Sequence, residues 1–289
     1  MTRTLAFCGL ALVCATGARA DFIYPGFGST AGLTLNGNAT TVVTGDGTVL
    51  RLTPAATGQG GSAFTTSQIS LGAGAEFSTF FQFRFTNPGG ISPADGIAFV
   101  LQTVNNNVGG AGGGLGYLGI NNSVAVEFDT YPNGPSAGDP NGNHVAIDTN
   151  GALNGTGVIV NGQSNCTNIA TVGGTPNCMA NGDIWSAWID YDGTNLRVAL
   201  ADNSVVRPAD IINQAINIPG FLGSTSAYVG FTGATGSGYE NHDILNWQLV
   251  QRFAPIDPVV VPEPSSWMLL GTAVALFGFA FYKRRTRSA

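Results

Sequence analysis

Lysine is nearly missing from this 289-residue chain, and Lys283 is the only one. Charged residues of all kinds make up just 10% of it. Between residues 21 and 261, five arginines face sixteen carboxylates, a formal charge of −11. Such a surface cannot grip nucleic acid or an anionic lipid layer, because both need clustered positive charge. It suits cations and neutral ligands. Cysteine is scarce as well: Cys8 and Cys14 lie near the start, Cys166 and Cys178 far down the chain. The later pair has the wrong spacing for a CxxC redox motif, and no third or fourth thiol completes a zinc site. In an exported protein it is expected to close a disulfide, worth about 3 kcal/mol on a loop-entropy account. No stretch of any length carries a 3.6-residue apolar period, which argues against a helical fold. No internal repeat appears.

What is present begins with the two ends. Residues 1–20 hold Arg3, an apolar run Leu5–Cys14 and the small-residue pattern Ala18-Arg19-Ala20. That is the pattern of a signal peptide, so Sec-type export is expected. The other end reads Val261-Pro262-Glu263-Pro264, then the uncharged apolar run Trp267–Tyr282, then Lys283, Arg284, Arg285 and Arg287. The run is a little short of the roughly 20 residues of a full span, and the basic cluster places that end in the cytoplasm. In this order the three features resemble the PEP-CTERM sorting signal. The resemblance implies an exosortase-type partner, a transient membrane anchor at about 266–282 with a basic tail at 283–289, and a cell-surface or extracellular destination. The expected division is then a signal peptide over 1–20, a domain over 21–253, a linker over 254–261 and the sorting segment over 262–289.

Between the ends, glycine is plentiful at 42 residues. Short alternating or apolar runs recur between Gly, Asn and Pro turns: Thr48–Leu52, Ser78–Thr86, Gly96–Gln102, Val124–Thr130, His144–Asp148, Ile184–Tyr191, Leu196–Leu200, Ala227–Thr232 and Ile244–Val250. Many short strands with frequent turn signals predict an all-β fold, an antiparallel sandwich. Asp21–Gly45 is weakly patterned and is assigned at most an edge strand. Arg207–Ile218 is expected to hold a helical turn or two, started by Pro208 with Asp210 near its beginning. Asn154–Asn181 reads as a long excursion pinned by the disulfide.

The chemistry concentrates in Val124–Asp148. Residues two apart on a strand share a face, so Glu127, Asp129 and Tyr131 point one way and Phe128 the other. Adjacent carboxylates repel unless a cation sits between them or one takes a proton. The following loop brings Asn133 and Asp139, and the next strand brings His144. Calcium takes six to eight oxygens, whereas a transition ion such as manganese accepts carboxylates with an imidazole. This set can serve both ions, with Asp129 and Asp139 shared, Asn133 toward calcium, and Glu127 and His144 toward the other.

Here the pattern E-x-D-x-Y-x-N, then Asp139-Pro140, then H-x-x-I-D resembles the metal-binding segment of the legume (L-type) lectins, the concanavalin A family. The resemblance implies the jelly-roll sandwich of the lectin/glucanase type. It implies calcium plus manganese or another transition ion, held by Glu127, Asp129, Tyr131 (through its carbonyl), Asn133, Asp139 and His144. The loop between Asn133 and Asp139 is one residue longer than in well-known members. Ala94-Asp95-Gly96-Ile97-Ala98-Phe99 resembles the strand whose aspartate accepts sugar hydroxyls after a cis peptide. Gly113–Ile120 resembles the loop whose backbone amide donates to sugar, with Gly116 as that donor or Gly114 as the alternative. Val229–Leu249 resembles the C-terminal motif, with Ser237 and Gly238 in the specificity loop. Trp185–Tyr191 fits the family as well. A glycan or exopolysaccharide partner follows, with Tyr131 under the apolar sugar face. Self-association is expected by analogy, since members often pair sheets edge to edge.

Two rival functions share this fold. Retaining β-glucanases carry a third acid on the strand of Glu127 and Asp129, and here Pro132 stands in its place. A structural or adhesive matrix protein without sugar binding would not need Asp95, Asn133 and the metal set. Trp188 and Trp247 are expected in the core, His242 in a structural hydrogen bond, and Asp148 as a supporting acid rather than a ligand.

Overall fold

The computed structural model describes residues 22–134, 139–166 and 175–258. Chain segments too short and too glycine-interrupted for helices satisfy their backbone groups by pairing with one another. In chain order the strands are β1 (Phe22–Tyr24), β2 (Leu33–Gly37), β3 (Thr40–Thr44), β4 (Gly47–Thr53), β5 (Gly60–Thr65) and β6 (Ile69–Ser70). Then come β7 (Phe77–Gly90), β8 (Gly96–Gln102), β9 (Ser123–Asp129), β10 (His144–Thr149) and β11 (Val158–Ile159). The last are β12 (Trp185–Tyr191), β13 (Asn195–Asp202), β14 (Ile212–Ala215), β15 (Ser226–Ala234) and β16 (Gly238–Val250), with a short helix α1 (Ile218–Leu222) before β15. All nine expected runs are strands.

The strands form two eight-stranded antiparallel sheets. The back sheet runs β14-β13-β12-β7-β16-β4-β3, with β1 joined to β16. The front sheet runs β11-β10-β9-β8-β15-β5-β2, with β6 joined to β15. The core lies between them, and alternation decides who enters it. Phe77, Phe81, Phe83 and Phe85 of β7 point inward, as do Phe99, Phe128, Phe231 and Trp247 from other strands. The Phe81 ring meets Phe231 edge-on at 4.9 Å and Phe128 at 5.7 Å. Burying one such ring contributes about 1.5–3 kcal/mol. Because Phe128 faces inward, Glu127 and Asp129 on either side of it face out of the front sheet.

The outer face of the back sheet is partly covered by the chain itself. Phe80 and Trp188 point outward and form a separate buried cluster with Ala199, Val250 and Ile256. The residues after β16 strap across it: Ala254 N–H donates to Ser78 Oγ at 3.0 Å, and Trp188 Nε1 donates to the Ile256 carbonyl at 3.1 Å. Trp247 sits in the main core, its Nε1 on Thr79 Oγ1 at 2.9 Å.

The Arg207–Ile218 expectation needs correction. Ile212–Ala215 is a strand, with Ile212 paired to Val198, and the helical turn begins only at Ile218. Asn217 caps it, accepting from Gly220 N–H at 3.0 Å, while Asp210 pairs with Arg207 at 2.9 Å instead of starting a helix. An open edge on β13 offers that segment more hydrogen bonds than a helical start of one Pro and one Asp. The weakly patterned N-terminal region supplies β1, β2 and β3, the latter two closing the edges of different sheets. Cys166 and Cys178 are joined in a disulfide. The expected signal peptide and sorting helix lie outside the described residues. Among the described residues no helix is long and apolar enough to cross a membrane.

Candidate metal and ligand site

Three neighbouring strands of the front sheet build the cluster. Asp129 of β9 pairs across to His144 of β10 and to Gly96 of β8, while Glu127 pairs with Ala146 and Ala98. Ala98, Ala146 and Gly96 are small, so the two acids and His144 crowd together on this face, where all three are buried. Gly96 is required there: its φ is +127°, and a Cβ would meet the Phe128 carbonyl oxygen at 2.2 Å. One ligand atom from each of Glu127, Asp129 and His144 falls within 4.8 Å of the others, and all three residues are buried.

Proton accounting shows what this cluster lacks. His144 Nδ1 lies 2.7 Å from the Asn141 carbonyl, which can only accept, so Nδ1 carries the hydrogen. Nε2 lies 3.1 Å from Glu127 Oε1. A neutral ring would then set its lone pair against a carboxylate. The contact is satisfied by a proton held between the ring and the carboxylate or by a cation standing between them. Burial pulls the His144 pKa down, but the Glu127 hydrogen bond and the carboxylates of Glu127 and Asp139 outweigh it, and the net shift is upward. Asp129 is held well above the usual carboxylate range by burial, then by the charges of Asp139 and Glu127. The Tyr131 N–H, 2.7 Å from Asp129 Oδ1, offsets part of this. Asp139 is raised by burial and steadied by the Asn133 N–H, and its Oδ1 has no hydrogen-bond partner. Asp148, expected as a supporting acid, is pushed up to about 8 by burial and the neighbouring Glu127. Its Oδ1 accepts from the N–H groups of Asn154 at 2.7 Å and Gly155 at 2.8 Å. Crowded buried acids with an imidazole whose free nitrogen faces a carboxylate have the chemistry of a divalent cation site.

A polar cup adjoins this cluster. Asp95 lies at its base, after a cis Ala94–Asp95 peptide, only 3% exposed, and its Oδ2 has no hydrogen-bond partner. Burial, opposed by His242 and reinforced by Glu240 and Asp139, raises its pKa to about 6. Gly236 passes close enough that a Cβ there would sit 3.4 Å from Asp95 Oδ2 and 3.9 Å from the Gly112 Cα. A Cβ on Gly113 would strike the Asn133 side chain at 2.6 Å. Asp95, Asn133, Gly112, Gly113 and Gly236 therefore converge. Ser237 is exposed beside them, and Gly238 is buried in β16 against Ser92. Tyr131 is half-buried at the end of β9. Gly114 packs on Leu118, and Gly116 is buried under the cup against Thr232 and Gly233. Gly113 and Gly112, inside the loop assigned to the sugar but not named as its donor, approach Asn133 and Gly236 more closely than Gly114 or Gly116 do, and Gly236 was not assigned to the site.

A cation-type cluster beside a polar cup, on the outer face of a two-sheet antiparallel sandwich, defines a ligand-binding domain. The chain belongs to the legume lectin domain family, which it matches over residues 19–259. That family consists of carbohydrate-binding domains, not enzymes. Residues 260–285 match the PEP-CTERM protein-sorting motif. The lectin alpha chain of Lablab purpureus is 31% identical over 226 residues, covering 71% of this chain and 73% of that protein. The L-type lectin-domain containing receptor kinase VIII.1 of Arabidopsis thaliana is 32% identical over 215 residues, 72% of this chain, but the match spans 27% of the kinase's length. Among solved structures, basic winged bean lectin with Tn-antigen is 26% identical with a TM-score of 0.62, covering 79% of this chain and 96% of that one. The lectin from Bauhinia forficata in complex with GalNAc is 25% identical, also at 0.62, covering 79% and 96%.

Proposed function

We propose that this protein is an exported lectin whose metal loop orders a sugar site. Glu127 and His144 hold the transition ion, with Asp129 and Asp139 shared between both ions. Asn133 and the Tyr131 carbonyl complete the calcium side. When bound, the cations neutralise the crowded carboxylates and fix Asn133. Asp95 accepts from sugar hydroxyls, Asn133 donates and accepts, and a loop N–H donates. The convergence above favours Gly113 for that donor over Gly116 or Gly114. Tyr131 lies under the apolar sugar face, and Ser237–Gly238 set specificity from the rim. The observation that carries this reading is the buried, unpartnered Oδ2 of Asp95 at the base of a glycine-lined cup beside Asn133. Such an atom costs free energy unless a ligand hydroxyl satisfies it.

The sorting motif supports processing by an exosortase and a destination at the cell surface or beyond. The signal peptide over 1–20 and the anchor over 266–282 belong to the same reading. A neutral glycan, such as an exopolysaccharide of the producing cell, fits a domain of this charge. The glucanase alternative gains no support, because Pro132 occupies the place of its third acid. A glycan array with calcium and manganese tests the proposal, run with and without EDTA and with Asp95→Ala. Binding is expected in the metal-loaded wild type, and the chelator and the substitution should each abolish it. Sugar binding that survives EDTA removes the metal loop from the account, and product release from a laminarin-type glucan restores the enzyme.

A further inference from the structure

Among the buried polar groups, one set links the two sheets near Asp95. There three polar side chains, all with under 2% exposure, cross from the back sheet to the front: His242 and Glu240 of β16 and Thr130 just after β9. His242 Nδ1 lies 2.6 Å from Thr53 Oγ1 of β4. Its Nε2 lies 3.4 Å from Glu240 Oε1. The same Oε1 accepts the Thr130 hydroxyl at 2.6 Å. The Thr130 N–H in turn donates to the main-chain carbonyl of Asp95 at 3.0 Å, and the Asp95 N–H donates to the Ala234 carbonyl at 3.0 Å. The Phe85 ring packs edge-on against the His242 imidazole at 4.8 Å. Hydrogen bonds run from Glu240 on the back sheet through Thr130 to the backbone of the acid at the base of the cup, and His242 adds a charge contact at 3.4 Å.

Stability alone does not account for this arrangement. Glu240 Oε2 and His242 Nε2 are buried without hydrogen-bond partners. A buried acid–imidazole contact with unmatched atoms is commonly no better for stability than apolar packing of the same volume. What the contact supplies is position. Thr130 directly follows Asp129 and holds Asp95 by its N–H, so fixing its hydroxyl from the other sheet fixes how Asp95 sits against Asn133 and Gly113.

We infer that Glu240, supported by His242 and Thr53, is a positioning residue for sugar binding that acts through Thr130 on Asp95. This rests on the proposal that Asp95 accepts sugar hydroxyls. None of the four side chains touches the sugar or is needed as a metal ligand. Removing the path should weaken the sugar and leave the ions in place.

The test uses the full chain with Thr130→Val, Thr130→Ser, Glu240→Ala, Glu240→Gln and the Val/Ala double variant. Affinity is measured by calorimetry for the strongest glycan found on the array, at saturating calcium and manganese and well below each melting point. Metal content is read in parallel by elemental analysis. Thr130→Val and Glu240→Ala should each lose about tenfold in affinity, the size of one mispositioned hydrogen bond. Thr130→Ser and Glu240→Gln keep the donor and the acceptor and should stay within about threefold of wild type. The double variant should bind no worse than Glu240→Ala alone, because both changes cut one path. Metal content should not change. If Glu240→Ala fails to fold, Thr130→Val still decides the matter, since valine keeps the shape of threonine and loses only the hydroxyl, and Thr130→Ser shows the effect of losing the methyl instead. Wild-type affinity in metal-loaded Thr130→Val overturns the inference. So does loss of metal together with sugar, or a multiplicative double variant. A wild type that binds no glycan at all overturns instead the reading on which the inference rests.

Discussion

A neutral imidazole donates from one nitrogen only, and at His144 that nitrogen is already committed to the Asn141 carbonyl. At residue scale this leaves the Glu127 contact to be met by a proton or by a cation, and the proposed metal loop takes the second. Glu127, Asp129 and His144 were legible in the sequence because strand periodicity puts the acids on one face and a short loop returns the histidine beside them. Asp139 was legible from its loop. Gly113 was not, because it is one of four glycines in Gly112–Gly116, and its close approach to Asn133 exists only after folding. Glu240 lies within the Val229–Leu249 motif, but its contact with Thr130 joins residues 110 positions apart, which no local pattern reveals. Away from the site, Asp192 gives a test of the electrostatics. Its carboxylate accepts from the N–H groups of Asn195 at 2.8 Å and Thr194 at 2.9 Å, and from Arg197 at 2.6 Å. The Asn195 N–H leads the causes that lower its pKa to about 2. A folded value below the unfolded one stabilises fully above about pH 4 and is lost as pH falls through about 2. Asp192→Ala should therefore lower Tm by roughly 2 °C at pH 6, with the gap closing at pH 2. A gap unchanged at pH 2 would assign the effect to shape rather than charge.

Strong alternation marks an element in the sequence, whereas an element defined by its neighbours leaves no such mark. β7 announces itself through Phe81, Phe83 and Phe85 at every second position. β14 carries no such signal, since only Ile212 of its four residues is buried, and it exists because β13 offers an edge. The strap after β16 belongs to the same kind. Ala254–Val261 reads as a linker, yet Ala254 and Ile256 pack on the back sheet. Ile256 is 7% exposed and shares its cluster with Phe80 and Trp188. Ile256→Ala removes about 2 kcal/mol of packing, which should lower Tm by roughly 5 °C. Val43→Ala, at a site 81% exposed, is the control and should leave Tm unchanged. Equal melting of the two variants would mean that the strap contributes nothing to the folded domain.

At the scale of the whole molecule, composition already set the class: an exported, acidic, glycine-rich chain of short strands makes a sandwich. The topology then brings together segments far apart in sequence, Asp95 from β7–β8, Asn133 and Asp139 from β9–β10, and Gly236 from β15–β16. Periodicity finds each segment and cannot say that they meet. The proposed function stands or falls on the β9–β10 cluster acting as a metal centre that orders the sugar site. Its most direct test is native mass spectrometry of the protein purified without chelator and re-equilibrated with calcium and manganese. About two ions per chain are expected, one calcium and one transition ion, with Asp139→Ala losing both the ions and glycan binding. A protein that carries no bound ion under these conditions, yet still captures its glycan, would contradict it.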